Sequence, residues 1–120
     1  MKVLIVDDSP VMRRIIKKSI NDLDGFEVVG EARDGNEAIE LFKKFSPDII
    51  TLDIIMPVMG GFDAAGKILE IAKDSKILLL TSIKDNETVE RAKKMGITHI
   101  LQKPFSPSEL IDTLKEMTKE

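Results

Sequence analysis

The 120-residue chain has no cysteine, no tryptophan and no tyrosine, a single histidine, and a net charge of only −3. Each shortage removes a class of function. Without cysteine there is neither a disulfide framework nor a thiolate metal site, and nothing points to secretion. With 18 basic side chains against 21 acidic ones, there is no electrostatic case for nucleic acid or a membrane surface. Long apolar runs are missing as well. The opening MKVLIVDDSP places four apolar residues, Val3 to Val6, before two aspartates, too few for a signal peptide or a spanning helix. The expected compartment is therefore the cytoplasm. Internal repeats, low-complexity tracts and linkers are also missing.

What is present is an ordinary single domain, residues 1–120. Hydrophobic residues make up 42% and charged residues 32%, a balance that supports one packed core rather than disorder. Apolar stretches alternate with amphipathic ones. Val3 to Val6 reads as a strand buried on both faces, followed by Ser9 as helix cap and Pro10 at the first helical position. Val11, Met12, Ile15, Ile16, Ile20 and Leu23 then recur at helical spacing. Phe26 to Ala32 is a second strand, and Asp34 to Glu37 has capping-box spacing for a helix with Ala38, Ile39, Phe42 and Phe45 inside.

The pattern repeats. Ile49 to Asp53 is a third strand; Phe62, Ala65, Ile68, Leu69 and Ala72 mark a third helix. Ile77 to Leu80 is a fourth strand, ending at Thr81 and Ser82. Asp85 or Asn86 caps a helix that runs to Met95 and stops at Gly96; its apolar face, Val89, Ala92 and Met95, is thin. His99 to Gln102 is a fifth strand. Ser106-Pro107-Ser108-Glu109 is a capping box for a last helix carrying Leu110, Ile111, Leu114 and Met117. Strand–helix units of this kind predict an α/β fold: a doubly wound (βα)5 unit with a five-stranded parallel sheet, flavodoxin-like, in the order 2-1-3-4-5.

Such folds bind ligands outside the carboxyl ends of their strands. Strand one ends in Asp7 and Asp8, strand three in Asp53, strand four in Thr81 and strand five in Lys103, while strand two offers nothing comparable. In the expected order the four informative strands are neighbours, so three acids, a hydroxyl and an ammonium share one rim. Taken singly, each has a bland reading: a helix cap for Asp7, turn chemistry for Thr81, a solvated charge for Lys103. His99 is read as structural and the methionines as core filler. Taken jointly, the five point to chemistry.

Adjacent carboxylates raise one another's pKa, and a hard divalent cation relieves this. Oxygen ligands suit Mg²⁺, and one histidine with no thiolate does not suit zinc. Lys103 supplies a point charge able to pair with Asp53 and then with a phosphate oxygen. A carboxylate is also a competent nucleophile for an aspartyl phosphate.

Asp7-Asp8, the pattern D-x-x-M-P-x-x-x-G at Asp53, Met56, Pro57 and Gly61, then Thr81, then Lys103-Pro104-Phe105 together resemble the receiver domain of two-component response regulators. DDSPVMRR, GEARDG and PDIITLDIIMP are similar to the chemotaxis type in particular. The resemblance covers essentially the whole chain, and the predicted strand order is also the family's own, so the two expectations are not independent. It implies that Asp53 is the phosphoacceptor, taking a phosphoryl group from a phosphohistidine on a sensor histidine kinase. Asp8 and Asp53 would ligate Mg²⁺ directly, Asp7 through water, and the carbonyl of Ile55 would add a ligand. Lys103 would bind the phosphoryl oxygen, with a cis bond to Pro104, and Thr81 would swing toward the phosphoryl group. The domain would catalyse its own phosphorylation and slow dephosphorylation. The signal would leave through the face formed by helix 4, strand 5 and helix 5, to a protein target.

The sequence also departs from the family pattern. An aromatic residue commonly precedes the lysine by three positions; here Ile100 stands there. Ile55 and Ile83, two beyond Asp53 and Thr81, line the path of the attacking water in this family, and two bulky apolar side chains there are expected to prolong the phosphorylated state. The expected role is a stand-alone chemotaxis switch. A phosphorelay intermediate and a receiver excised from a longer regulator fit the same residues. An aspartyl-phosphate hydrolase carries its nucleophile on the first strand and has a cap domain. A flavodoxin-like cofactor binder needs a glycine-rich loop where DDSPVMRR stands, and a receiver-like binder that works unphosphorylated would not need the acids and the lysine.

Overall fold

A computed structural model describes residues 1–119. Five strands, β1 (Lys2–Val6), β2 (Glu27–Ala32), β3 (Ile49–Asp53), β4 (Lys76–Thr81) and β5 (His99–Gln102), alternate with five helices, α1 (Pro10–Asn21), α2 (Gly35–Phe45), α3 (Gly61–Ile71), α4 (Asn86–Lys94) and α5 (Pro107–Met117). All neighbouring strands pair in parallel, in the order β2-β1-β3-β4-β5. This is the predicted doubly wound sheet. The boundaries move by a residue. Phe26 precedes β2 and packs in the core, and α4 ends at Lys94, with Met95 as its C-cap.

Strand side chains alternate between two cores, as the period of two requires. Leu4, Val6, Ile50, Leu52, Ile77 and Leu79 face α2, α3 and α4, where they meet Phe42, Phe62, Ile68 and Ala92. Val3, Ile5, Ile49, Leu78 and Leu80 face α1 and α5, where they meet Ile16, Ile20, Leu110 and Leu114. Both faces of the central strands are therefore covered, which is why these strands read as unbroken apolar runs.

The caps hold as the sequence predicts. The hydroxyl of Ser9 accepts from Met12 N–H, the carboxylate of Asp85 from Thr88 N–H, and Ser106 with Glu109 forms a reciprocal box. The Asp34 cap differs in one detail. Asp34 accepts from Glu37 N–H, but Glu37 reaches back to Arg33 N–H rather than to the cap residue itself. Among the described residues no helix is long and apolar enough to cross a membrane.

Candidate functional site

The rim residues converge. The β1–β3 pairing sets Val6 beside Leu52. Asp7 and Asp8 therefore emerge next to Asp53, and the three each offer a carboxylate oxygen within 4.8 Å of one another. Asp7 is fully buried, Asp53 nearly so, and Asp8 is exposed. On the other side β4 pairs with β5 at Thr81 and Gln102, which delivers Lys103 to the same rim. Lys103 N–H donates to the Thr81 carbonyl at 2.7 Å, and its peptide bond to Pro104 is cis, as the family resemblance implied.

Lys103 lies closer to Asp7 than to Asp53. Its Nζ donates to Asp7 Oδ2 at 2.8 Å and lies 3.5 Å from Asp53 Oδ2. The sequence suggested Asp53 as the resting partner; the ammonium instead bridges both acids. Asp7 is further committed, since its Oδ1 accepts from Ser9 N–H at 2.9 Å. The capping reading of Asp7 and the ionic one thus hold together. Asp53 keeps one lighter contact, accepting from Ile55 N–H at 3.3 Å.

The electrostatics follow from burial. The Asp53 carboxyl is pushed above its ordinary value, first by desolvation and then by the charge of Asp7; Lys103 and the Ile55 N–H oppose this without cancelling it. Burial lowers Lys103, but its hydrogen bond to Asp7 and the two carboxylate charges outweigh that and hold it above the ordinary lysine value. A crowded, partly desolvated carboxylate cluster carrying one ammonium has capacity left for a second cation. The donor set is all oxygen, so the residues fit Mg²⁺.

Thr81 is almost buried, and its hydroxyl is fully engaged. It donates to the Ile83 carbonyl at 2.8 Å and accepts from Ile83 N–H at 3.0 Å. The hydroxyl therefore serves its own turn in this state. Ile55 and Ile83 are 61% and 54% exposed, so each stands at the mouth of the site rather than in the core.

Three residues support the site in ways the sequence does not spell out. Arg13, one turn into α1, donates from Nη1 to the Asp7 carbonyl at 2.7 Å and pairs with Glu31, fixing the β1–α1 turn. Gly61, the last residue of the D-x-x-M-P-x-x-x-G pattern, has a structural role of its own. Its N–H donates to the Ile54 carbonyl at 2.7 Å, and an added Cβ would run into the Asp53 carbonyl oxygen and come within 2.7 Å of Ile54 Cα. The loop after Asp53 can close only over a glycine. Val58, in that loop, takes φ 68°, a left-handed backbone that is costly for a β-branched residue.

Comparison with known proteins gives the family. The sequence profile of the response regulator receiver domain matches residues 3–115. The chain therefore belongs to the response regulator receiver family, the receiver domains of two-component systems. Within that family it is CheY-like. It is 41% identical over 118 residues to the chemotaxis protein CheY of Thermotoga maritima, covering 98% of each chain. The solved structure of chemotaxis protein CheY4 of Vibrio cholerae superposes with a TM-score of 0.89 at 36% identity, covering 97% of both chains. A CheY of Borrelia burgdorferi, solved with CheX, BeF3 and magnesium, superposes with a TM-score of 0.95 at 26% identity, covering all of this chain and 90% of that one.

Proposed function

We propose that this chain is a phosphoacceptor switch in chemotaxis signalling, a cytoplasmic domain that takes a phosphoryl group onto Asp53 and passes the signal to a protein partner. One observation carries the reading: the nearly buried Asp53 carboxylate, bridged to Asp7 by Lys103, with Asp8 completing a cluster of three acids within 4.8 Å of one another. The CheY relatives support the chemotaxis assignment, and the BeF3 and magnesium in the Borrelia structure support the chemistry.

Asp7, Asp8, Asp53 and the Ile55 carbonyl hold Mg²⁺ in this reading, and the ion supplies charge neutralisation for the transferred phosphoryl group. Ionised Asp53 attacks the phosphorus of a phosphohistidine on a sensor kinase. A P–O bond forms, the N–P bond breaks, and its electron pair leaves with the imidazole nitrogen. Lys103 keeps its hold on Asp7 and turns its remaining N–H donors toward the new phosphoryl oxygens, as a compact three-donor ammonium can. Thr81 gives up its bonds to Ile83 and donates to the phosphoryl group. The loop behind it moves with α4, and the α4–β5–α5 face changes for the downstream target. A phosphorelay intermediate, or a receiver cut from a longer regulator, would use the same residues for the same step.

The chain also speeds its own phosphorylation and slowly loses the group to water. Ile55 and Ile83 flank the approach of that water, and their apolar bulk slows it. The deciding experiment is incubation with Mg²⁺ and acetyl phosphate, then with a phosphorylated kinase. The expected product is an acid-stable, base-labile phosphoryl adduct on the Asp53 peptide, missing in D53N. Steady turnover of a small phosphate ester without accumulation of that adduct would instead mark a hydrolase. In the labelled protein, I55E or I83N should shorten the adduct's lifetime; an unchanged lifetime removes the water-shielding role.

A further inference from the structure

The first turn of α3 rests directly on the acceptor's own backbone. Gly61 bonds the Ile54 carbonyl and leaves no space beside the Asp53 carbonyl. The next residue, Phe62, is 9% exposed and packs in the core with Met56 and Ala92. Its ring is thus placed by the peptide that carries Asp53. Above that ring stands the guanidinium of Arg91, 4.3 Å from the centroid, on the exposed side of α4. Among the described residues Arg91 makes no salt bridge to a carboxylate.

The helix that carries Arg91 is anchored elsewhere. It starts from Asp85, two residues past Ile83, and Ile83 is the residue that holds the Thr81 hydroxyl. Of its nine residues only Ala92 is buried. A helix held by so little packing is positioned by the few contacts it has. The Arg91–Phe62 stack therefore joins two anchors: Phe62 follows Asp53, and Arg91 follows Thr81. Ile100, which faces the same core, carries no ring to do this from β5.

We infer that the Arg91–Phe62 contact is a latch that holds α4 in its unphosphorylated position. The inference rests on the proposed switch, in which Thr81 leaves Ile83 once Asp53 is phosphorylated. The turn that caps α4 then shifts while Phe62 stays with the β3 backbone, and the stack opens. A contact made only in the resting state opposes ligands of the other state by its own worth. For an exposed cation–π pair this amounts to about a two- to fivefold change in affinity.

The test uses the full chain as wild type, R91Q, R91K and F62L. Affinity for beryllofluoride is measured at saturating Mg²⁺, with amide exchange over residues 86–94, and acetyl phosphate labelling of Asp53 as the check on chemistry. R91Q and F62L should bind beryllofluoride about two- to fivefold more tightly than wild type and exchange faster through α4 without it, while R91K should lie between. Labelling of Asp53 should persist in all four. Wild-type affinity and exchange in R91Q, with Asp53 labelled, would overturn the latch alone. No labelling in the wild type would remove the acceptor reading and the latch with it. If F62L fails to fold, R91Q decides, because Arg91 is exposed.

Discussion

Every residue of β3 is buried, whereas α4 buries only Ala92. In the proposed switch the two segments lie at opposite ends of one signalling path, and they are built to opposite standards. The β1–β3 side fixes its polar groups. Asp7 accepts from Lys103 and Ser9, Arg13 clamps the Asp7 carbonyl, and Gly61 lets the loop press against Asp53. The α4 side is held by a cap, one buried alanine and an arginine on a ring. A site that must hold a cation and a phosphoryl group needs preorganised donors. An element that must move needs few contacts to lose.

Paired truncations would sharpen the contrast most. Leu52→Ala should cost about 4 kcal/mol of unfolding free energy, because Leu52 is fully buried and a cavity remains. Val89→Ala in α4 should cost under about 1 kcal/mol, as for other half-buried positions. Urea denaturation of both variants measures the difference, and equal losses would break the comparison. Gly61→Ala comes next, at about 3 kcal/mol, since the new Cβ has only backbone to push against. The same substitution at Gly66, where the nearest neighbour is the flexible end of Met95 at 3.8 Å, should be neutral or slightly stabilising.

Lys103→Met should cost about 2 kcal/mol near neutral pH. That is below the range for a fully buried pair, because part of Lys103 reaches solvent, but Asp7 loses its ionic partner. Added Mg²⁺ should restore part of the loss, which a thermal melt with and without the ion would show. Asp53→Asn carries a sign that separates charge from packing. The Asp53 carboxyl titrates above its ordinary value of 3.8 in the folded chain. Folding therefore binds protons there, and stability contributed by this group falls as pH rises from 3.8 to the raised value. D53N should be more stable than wild type at neutral pH, and the advantage should vanish below pH 3.8. Melts across that range at low ionic strength, without Mg²⁺, give the readout. Thr51 supplies a small change of the opposite sign, because its fully buried hydroxyl has no partner among the described residues. Thr51→Val should add about 1 kcal/mol, by removing an unpaired polar atom at nearly constant shape.

The sheet order and the rim were legible because burial on both faces writes strands as apolar runs, and each of these ends on a residue unlike it. Val6 runs into Asp7 and Leu52 into Asp53, while α1, α2, α4 and α5 each begin at a recognisable side-chain cap. Distances between strand ends are a different matter. Nothing in the sequence says that Lys103 sits nearer Asp7 than Asp53, because that depends on how the β4–β5 pair is staggered against β1. Arg13 was invisible for a similar reason. Its partner is a backbone carbonyl, and any residue type supplies one. The Arg91–Phe62 stack joins residues nearly thirty positions apart with no shared motif. The thinness of α4, by contrast, was readable from Val89, Ala92 and Met95 alone.

The resting place of Thr81 has a consequence for noise. Its hydroxyl has both a donor and an acceptor partner in Ile83, so leaving that turn forfeits two hydrogen bonds at once. At about 1 kcal/mol each, this sets a threshold on the order of thirtyfold against spontaneous departure. A cell reading this chain would then see few false alarms from unphosphorylated molecules, and Ile83 would set how quiet the silent state is.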